Sequence, residues 1–163
     1  MRFEQLPRWL LRMMKRPPQL AYTLGLGPLI GRLVLLLTTT GRKSGRPRVT
    51  PLQYEELDEM ITIGSSRGAK ADWYRNIAAD PHVSVRVKNR RFDGTAEITT
   101  DVGRIADFLE LRLKRHPRMI KWMLRAEGVR NLSREGLEEY VAKAKLALVT
   151  IRLPESAKQT SSS

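Results

Sequence analysis

The sequence predicts a mainly β member of the α+β class. About six antiparallel strands close into a barrel with helices outside, one helix precedes the barrel, and a helical insertion precedes the last strand. Three observations lead there. Val83, Val85 and Val87 alternate with Ser84, Arg86 and Lys88, the period of a half-buried strand. Short runs rich in β-forming residues recur between residues 33 and 99 with short connections. Residues 101–145 then change to helical periodicity before one apolar run returns at 146–153.

The elements follow in order. Phe3, Leu6, Leu10 and Met13 repeat at helical spacing, with Arg2, Glu4, Arg8, Arg12, Lys15 and Arg16 around them, and Pro17-Pro18 ends the pattern. This amphipathic helix, within residues 1–18, either packs on its own domain or lies on a membrane surface. Residues 19–33 read as loop, and Gly25, Gly27 and Gly31 lack the spacing of a dinucleotide loop. Strands are expected at 33–39, 48–54, 60–64, 83–88, 92–99 (after an Asn89-Arg90-Arg91 turn) and 146–153. A short helix sits between the third and fourth, with Asp72 as its N-cap and Pro81 at its end. In the insertion, Ile105, Phe108, Leu109 and Leu113 share one face; Met119, Ile120, Met123 and Leu124 form another beyond Pro117. Ser133 caps a last helix carrying Leu137, Val141 and Ala144. Residues 1–153 are expected to form one domain, and the polar tail 154–163 to be disordered.

Composition narrows the chemistry. No cysteine is present, which excludes disulfides, thiolate metal sites and a cysteine nucleophile. Two histidines make a histidine-based metal site a poor expectation. No apolar run is long enough to span a membrane, and charges interrupt the N-terminus where a signal peptide needs its apolar core. A cytoplasmic protein is expected, with the inner membrane face as a further possibility through residues 2–16. The net charge of +13 selects anionic partners. Nucleic acid is not expected among them, because aromatics are only 6% and no nucleic-acid-binding motif is present.

The most informative segment is Thr38-Thr39-Thr40-Gly41-Arg42-Lys43-Ser44-Gly45-Arg46-Pro47-Arg48. It joins two expected strands. Its glycines permit tight backbone geometry in which N–H groups point at a ligand, and Arg42, Lys43, Arg46 and Arg48 add cations suited to phosphate or carboxylate. On residue chemistry alone, an anion cradle and a solvated basic hairpin stand level. A second segment runs from Ser65-Ser66-Arg67-Gly68 into Asp72-Trp73-Tyr74-Arg75-Asn76. Trp73 and Asn76 fall on similar faces of a helix, so they either line a flat-ring pocket or serve as a core residue and a loop cap. Met119, Trp122 and Met123 either roof a substrate pocket or fill a helix core. The basic surface of Arg112, Lys114, Arg115, Arg118, Lys121 and Arg125 either meets lipid headgroups or is solvated.

The run Leu35-Leu-Leu-Thr-Thr-Thr-Gly-Arg-Lys-Ser-Gly-Arg-Pro-Arg-Val-Thr-Pro-Leu52, followed by Trp73-Tyr74-x-Asn76-Ile77-x-Ala79-x-Pro81-x-Val83, resembles the deazaflavin-dependent nitroreductase family. The resemblance covers about residues 32–100 and the last strand. It implies a split β-barrel related to FMN-binding barrels, with coenzyme F420 as cofactor and a small electron-poor acceptor (quinone, enone or nitro compound) as substrate. It implies that Arg42, Lys43, Ser44 and Arg48 hold the anionic chain, that Ser66 and Arg67 lie beside the ligand, and that Thr50, Pro51, Leu52, Trp73 and Asn76 lie near the deazaflavin. Neutralising Arg42, Lys43 and Arg48 together is then expected to abolish cofactor retention. The chain departs from the family in a shorter loop before Trp73, in Asp72, and in residues 101–145, so the family's nitro substrate is not carried over. Tyr54 and Tyr74 are the candidate proton donors, with water as the simple alternative. FMN in the same barrel and a non-catalytic flavin, lipid or haem carrier are the rival readings. Assembly is open between monomer and homodimer.

Overall fold

The computed structural model describes residues 34–155. The expected N-terminal helix, the glycine-rich stretch before residue 34 and the tail beyond residue 155 lie outside the described residues. Seven strands form one antiparallel sheet: β1 Leu35–Thr40, β2 Pro47–Leu52, β3 Glu55–Leu57, β4 Met60–Ser65, β5 His82–Val87, β6 Arg90–Thr99 and β7 Ala147–Arg152. The helices are α1 Asp72–Ala79, α2 Val102–Arg115, α3 Pro117–Ala126 and α4 Arg134–Ala144. The sheet order is β2-β1-β5-β6-β7-β4-β3.

This is the split barrel that the sequence predicts, with three corrections. The hydrogen-bonded circuit does not close, because β2 and β3 are its edges. A seventh strand, β3, follows the expected second strand, which ends at Leu52, and pairs with β4 across a turn in which Asp58 and Glu59 both take positive φ (48° and 61°). That geometry matches the right-handed twist of the flanking strands. The third correction concerns the turn before β6, which is Lys88-Asn89, with Arg90 and Arg91 already paired to Val87 and Arg86.

β6 holds the two halves together. Its first part pairs with β5 up to His82↔Thr95, and its second part pairs with β7 from Ala96 onward. Gly94 sits at the change of partner; a Cβ there would lie 2.9 Å from Ile151 Cγ2, so the bend needs a residue without a side chain. The inward side chains, among them Leu35, Leu37, Ile61, Ile63, Val85 and Val149, form the barrel core.

The other face of β4 and β7 is covered by the insertion. Ile105, Phe108 and Val141 pack on Leu146 and Leu148, while Ile120, Leu124, Val129 and Leu137 join the helices to each other. Ser133 caps α4 through Gly136 N, as its position predicts, and Pro117 occupies the first turn of α3. Arg134 bonds Asp107, Glu110, Glu138 and the Gly103 carbonyl, tying α4 to α2.

Candidate functional site

Because neighbouring strands are antiparallel, the C-terminal ends of β1 and β4 and the N-terminal ends of β2, β5 and β7 all lie at one end of the sheet. The β1–β2 hairpin, the Ser66–Arg67 turn and both ends of α1 therefore gather there. The two segments singled out in the sequence are joined directly. Asn76, on α1 and 4% exposed, accepts from Arg42 N (3.1 Å) and Arg42 Nη1 (3.2 Å) and donates through Nδ2 to Thr39 Oγ1 (3.1 Å). Arg42 Nη2 reaches Asp72 Oδ1 at 3.1 Å. Asp72 is thus not the N-cap of α1. That position is Ala71, and the Asp72 carboxylate, in the first helical turn, is turned to Arg42 instead.

The hairpin also corrects the expectation of free backbone donors. Gly41 N bonds Arg46 O, Gly45 N bonds Gly41 O, Arg46 N bonds Ser44 Oγ and Arg42 N bonds Asn76, so these amides are already used. Gly45 makes the turn with φ of +65°, and a Cβ on Gly41 would meet Ser44 Oγ at 2.6 Å. What the hairpin presents is side-chain charge. Among the described residues, the charged ends of Lys43, Arg46 and Arg48 make no hydrogen bond or ion pair, and all three residues are exposed. Three cations on a pinned turn, with Arg48 beside Thr39 on the core-facing side of the sheet, suit a long anionic group.

The remaining candidates divide. Trp73 is 9% exposed and belongs to the barrel core, and its ring meets Tyr74 edge-on at 6.4 Å. Tyr54, Tyr74 and Leu52 are partly buried against the same core. Thr50 is half-buried and Pro51 exposed, along the edge strand that leads from the hairpin to Gln53. Arg67 is exposed in the turn before α1.

Ser66, in the turn after β4, also borders a second space. It lines a cavity of about 370 Å³ between the outer face of β4 and β7 and helices α2, α3 and α4. Gln53, which follows β2 at the seam between the two sheet edges, lines it too. Its walls include Phe108, Trp122 and Met123, so two of the three residues considered for a pocket roof do line a cavity, while Met119 is exposed and does not. Volume and apolar character are those of a small-molecule site.

Of two polar groups in this cavity, the sequence reading passed over Tyr140 and placed Arg112 on a solvated or lipid-facing basic surface, whereas its side chain is 11% exposed. Tyr140 lines it, and burial pushes its phenol above the ordinary value, with the Glu127 carboxylate adding to the effect. Arg112 lines it as well, held from behind by the buried Glu55 (Nε–Oε1 3.2 Å). Glu55 also meets Arg115 (3.0 Å) and His116 Nε2 (3.2 Å). Tyr54 and Tyr74 are not among the cavity's lining residues. Helical spacing could have placed Arg112 on the face of Phe108 and Leu109, but nothing local marks Tyr140. Among the described residues no cluster of histidine, cysteine or carboxylates could hold a metal, and no helix is long and apolar enough to cross a membrane.

Comparison with known proteins bears on the family and the fold. The family model described as F420H2-dependent quinone reductase matches residues 19–120, which take in the hairpin, α1, all of α2 and the start of α3. An F420H2-dependent quinone reductase of Mycobacterium tuberculosis is 39% identical over 66 residues, covering 39% of this chain and 44% of the relative. The match therefore spans less than half the length of that relative. The structure of an F420-H2-dependent reductase, FDR-A, superposes with a TM-score of 0.50 at 25% identity, over 74% of this chain and 95% of the other. A second structure, described as a domain-swapped dimer, gives 0.52 at 25% identity over 83% and 95%. With the family model matched across the cationic hairpin, its α1 clamp and the first helix of the cover, this chain belongs to the F420H2-dependent quinone reductase family.

Proposed function

We propose that the chain binds reduced coenzyme F420 and uses it to reduce a small, electron-poor organic acceptor of the quinone type. The observation that carries this reading is the trio Lys43, Arg46 and Arg48, unpaired among the described residues, on a turn that Arg42 and Asn76 clamp to α1. Such charges cost stability through mutual repulsion unless a ligand neutralises them. The phosphodiester and glutamate tail of F420 offers several negative groups, whereas FMN offers a single phosphate. A carrier without catalysis would need no cavity beyond the cofactor's own.

Bound F420 supplies the hydride. The chain's own residues have the remaining tasks. Lys43, Arg46 and Arg48 hold the anionic chain, and Arg42 shares its charge between that task and the clamp. Ser66 and Arg67 flank the ligand at the same strand end. The helical cover supplies most of the apolar wall of the cavity, against which a flat acceptor can pack. Tyr140 takes the place of Tyr54 and Tyr74 as candidate proton donor, because its phenol keeps its proton and lines the cavity.

The test is a fluorescence titration with F420 and with FMN, on the parent and on a variant with Lys43, Arg46 and Arg48 all changed to Gln. F420 should bind the parent more tightly than FMN, and each removed cation should weaken F420 by about 0.5–1 kcal/mol at low salt. A triple variant that holds F420 as tightly as the parent would overturn the reading. Two further features belong to it. The exposed face of α3, with Met119 and Trp122 among Arg118, Lys121 and Arg125, suits an anionic lipid surface, and co-sedimentation with anionic vesicles tests that contact. The domain-swapped relative favours a homodimer, which light scattering reads directly.

A further inference from the structure

The geometry points to Arg112 as the group that holds the acceptor's oxygen and takes up the charge it gains; this rests on the reading of the chain as a reductase. Arg112 is 11% exposed at its side chain, and two of its three guanidinium nitrogens are committed. Nε donates to Glu55 Oε1 at 3.2 Å, Nη2 donates to Gln53 Oε1 at 3.0 Å, and the guanidinium carbon lies 5.9 Å from the Phe108 ring centre. Nη1 has no hydrogen-bond partner among the described residues, yet no fully buried side-chain polar atom there lacks a partner. That nitrogen is therefore not fully buried, and Arg112 is one of the residues that line the cavity, which puts an uncommitted donor within reach of a molecule bound there.

The cluster behind it carries a surplus of positive charge. Glu55 brings one negative charge, Arg112 and Arg115 bring two positive ones, and the neighbouring Glu56 is paired with Arg90 at 2.9 Å. Glu55 thus fixes the orientation of Arg112 without cancelling the cluster. The cavity walls are mainly apolar, with Phe108, Leu109, Trp122 and Met123, and among their polar groups Arg112 is the one cation and Glu127 the one carboxylate. A flat ring bearing a carbonyl oxygen fits this combination. In the reaction a para-quinone gains a hydride, hence two electrons, while a C–H bond of the reduced deazaflavin breaks and the deazaflavin loses two electrons. The hydroquinone monoanion so formed carries its charge on oxygen, beside Arg112 Nη1, until one proton from Tyr140 or water completes the hydroquinone.

The test uses two quinones of one shape, 2-hydroxy-1,4-naphthoquinone, which is ionised at neutral pH, and its uncharged 2-methoxy analogue. Their binding is measured by calorimetry with F420 saturating, so that the hairpin is occupied. The parent should bind the anionic quinone roughly tenfold to a hundredfold more tightly, the worth of one charge-assisted hydrogen bond. Arg112→Met should bring the two quinones to near parity and leave F420 affinity unchanged. Arg115→Gln removes the partner of the other Glu55 oxygen, outside the cavity lining, and with it the surplus charge but not the donor, so it should reduce the preference less than Arg112→Met does. A parent that does not distinguish the two quinones, or an Arg112→Met protein that still does, overturns the proposal. If Arg112→Met does not fold, Arg112→Lys, which keeps the charge and loses the fork, should still show a reduced preference, and an undiminished one overturns it. Failure of F420 to bind the parent would sink the reductase reading instead. The quinone pair would then be titrated against protein lacking the Lys43, Arg46 and Arg48 charges, where the role of Arg112 stands or falls separately.

Discussion

Replacing Asn76 by Ala should damage both stability and cofactor binding, because one buried amide organises the hairpin. The substitution removes hydrogen bonds of 3.1 Å to Arg42 N, 3.2 Å to Arg42 Nη1 and 3.1 Å to Thr39 Oγ1. The two neutral bonds are worth about 1 kcal/mol each, and the partner left dry is Thr39, only 2% exposed. The guanidinium bond counts for less, since the Arg42 side chain is 25% exposed and water can replace Asn76 there. The sum is about 2–3 kcal/mol, which for a chain of this length lowers Tm by about 5–10 °C. F420 affinity should fall about tenfold, because the turn bearing Lys43, Arg46 and Arg48 is no longer held in one orientation. Thermal unfolding by circular dichroism and F420 fluorescence titration read the two effects separately. Asn76→Asp separates geometry from charge. It keeps both acceptor bonds and loses the bond to Thr39, and it sets a negative charge under the cations. It should therefore cost less stability than Asn76→Ala and more F420 affinity. An Asn76→Ala protein with parental Tm and parental F420 affinity would refute the role assigned to the clamp.

Three further outcomes follow from the same structure. Glu55→Gln leaves Arg112 and Arg115 facing each other across a neutral amide; removing one partner of a buried pair costs about 3–5 kcal/mol, and the half-exposed Arg115 places this site at about 3, read as a lower urea midpoint. Tyr140 has a folded-state pKa raised by burial, so its contribution is fully present below its unfolded value near 10 and is lost as pH rises through the folded value. Tyr140→Phe should accordingly flatten the fall of Tm above about pH 10 and leave Tm at neutral pH nearly unchanged, which a Tm series across alkaline buffers checks. Gly94→Ala drives a Cβ to 2.9 Å from Ile151 Cγ2 at the bend of β6 and should cost about 1–3 kcal/mol by chemical denaturation; a neutral effect would mean that β6 can bend without its glycine.

What was legible in the sequence was local. β5 was read from its strict alternation because Val83, Val85 and Val87 all face the core. The cations of the hairpin were read because they sit within seven residues of each other. β3 was missed because its only buried residue is a glutamate, and a strand Glu-Glu-Leu shows no apolar period. Its stabilising partners, Arg112 and Arg115, come 57 and 60 residues later, beyond any window in which spacing is informative. The same distance hid the cavity. Ser66, Arg112 and Tyr140 lie on three separate elements, and only the packing of α2 and α4 on β4 and β7 brings them to one surface. Residues 101–145 read as an insertion beside a complete barrel, but the edges at β2 and β3 leave that barrel open, and α2 anchors itself at the seam through Gln53 and Glu55. The helices therefore build the wall of the cavity on β4 and β7 and reach the seam through Arg112 and Arg115. On this view the cofactor half of the site belongs to the barrel and its hairpin, while acceptor preference belongs to the helices. Exchanging residues 101–145 for those of another family member should then change which acceptors are reduced and leave F420 affinity in place.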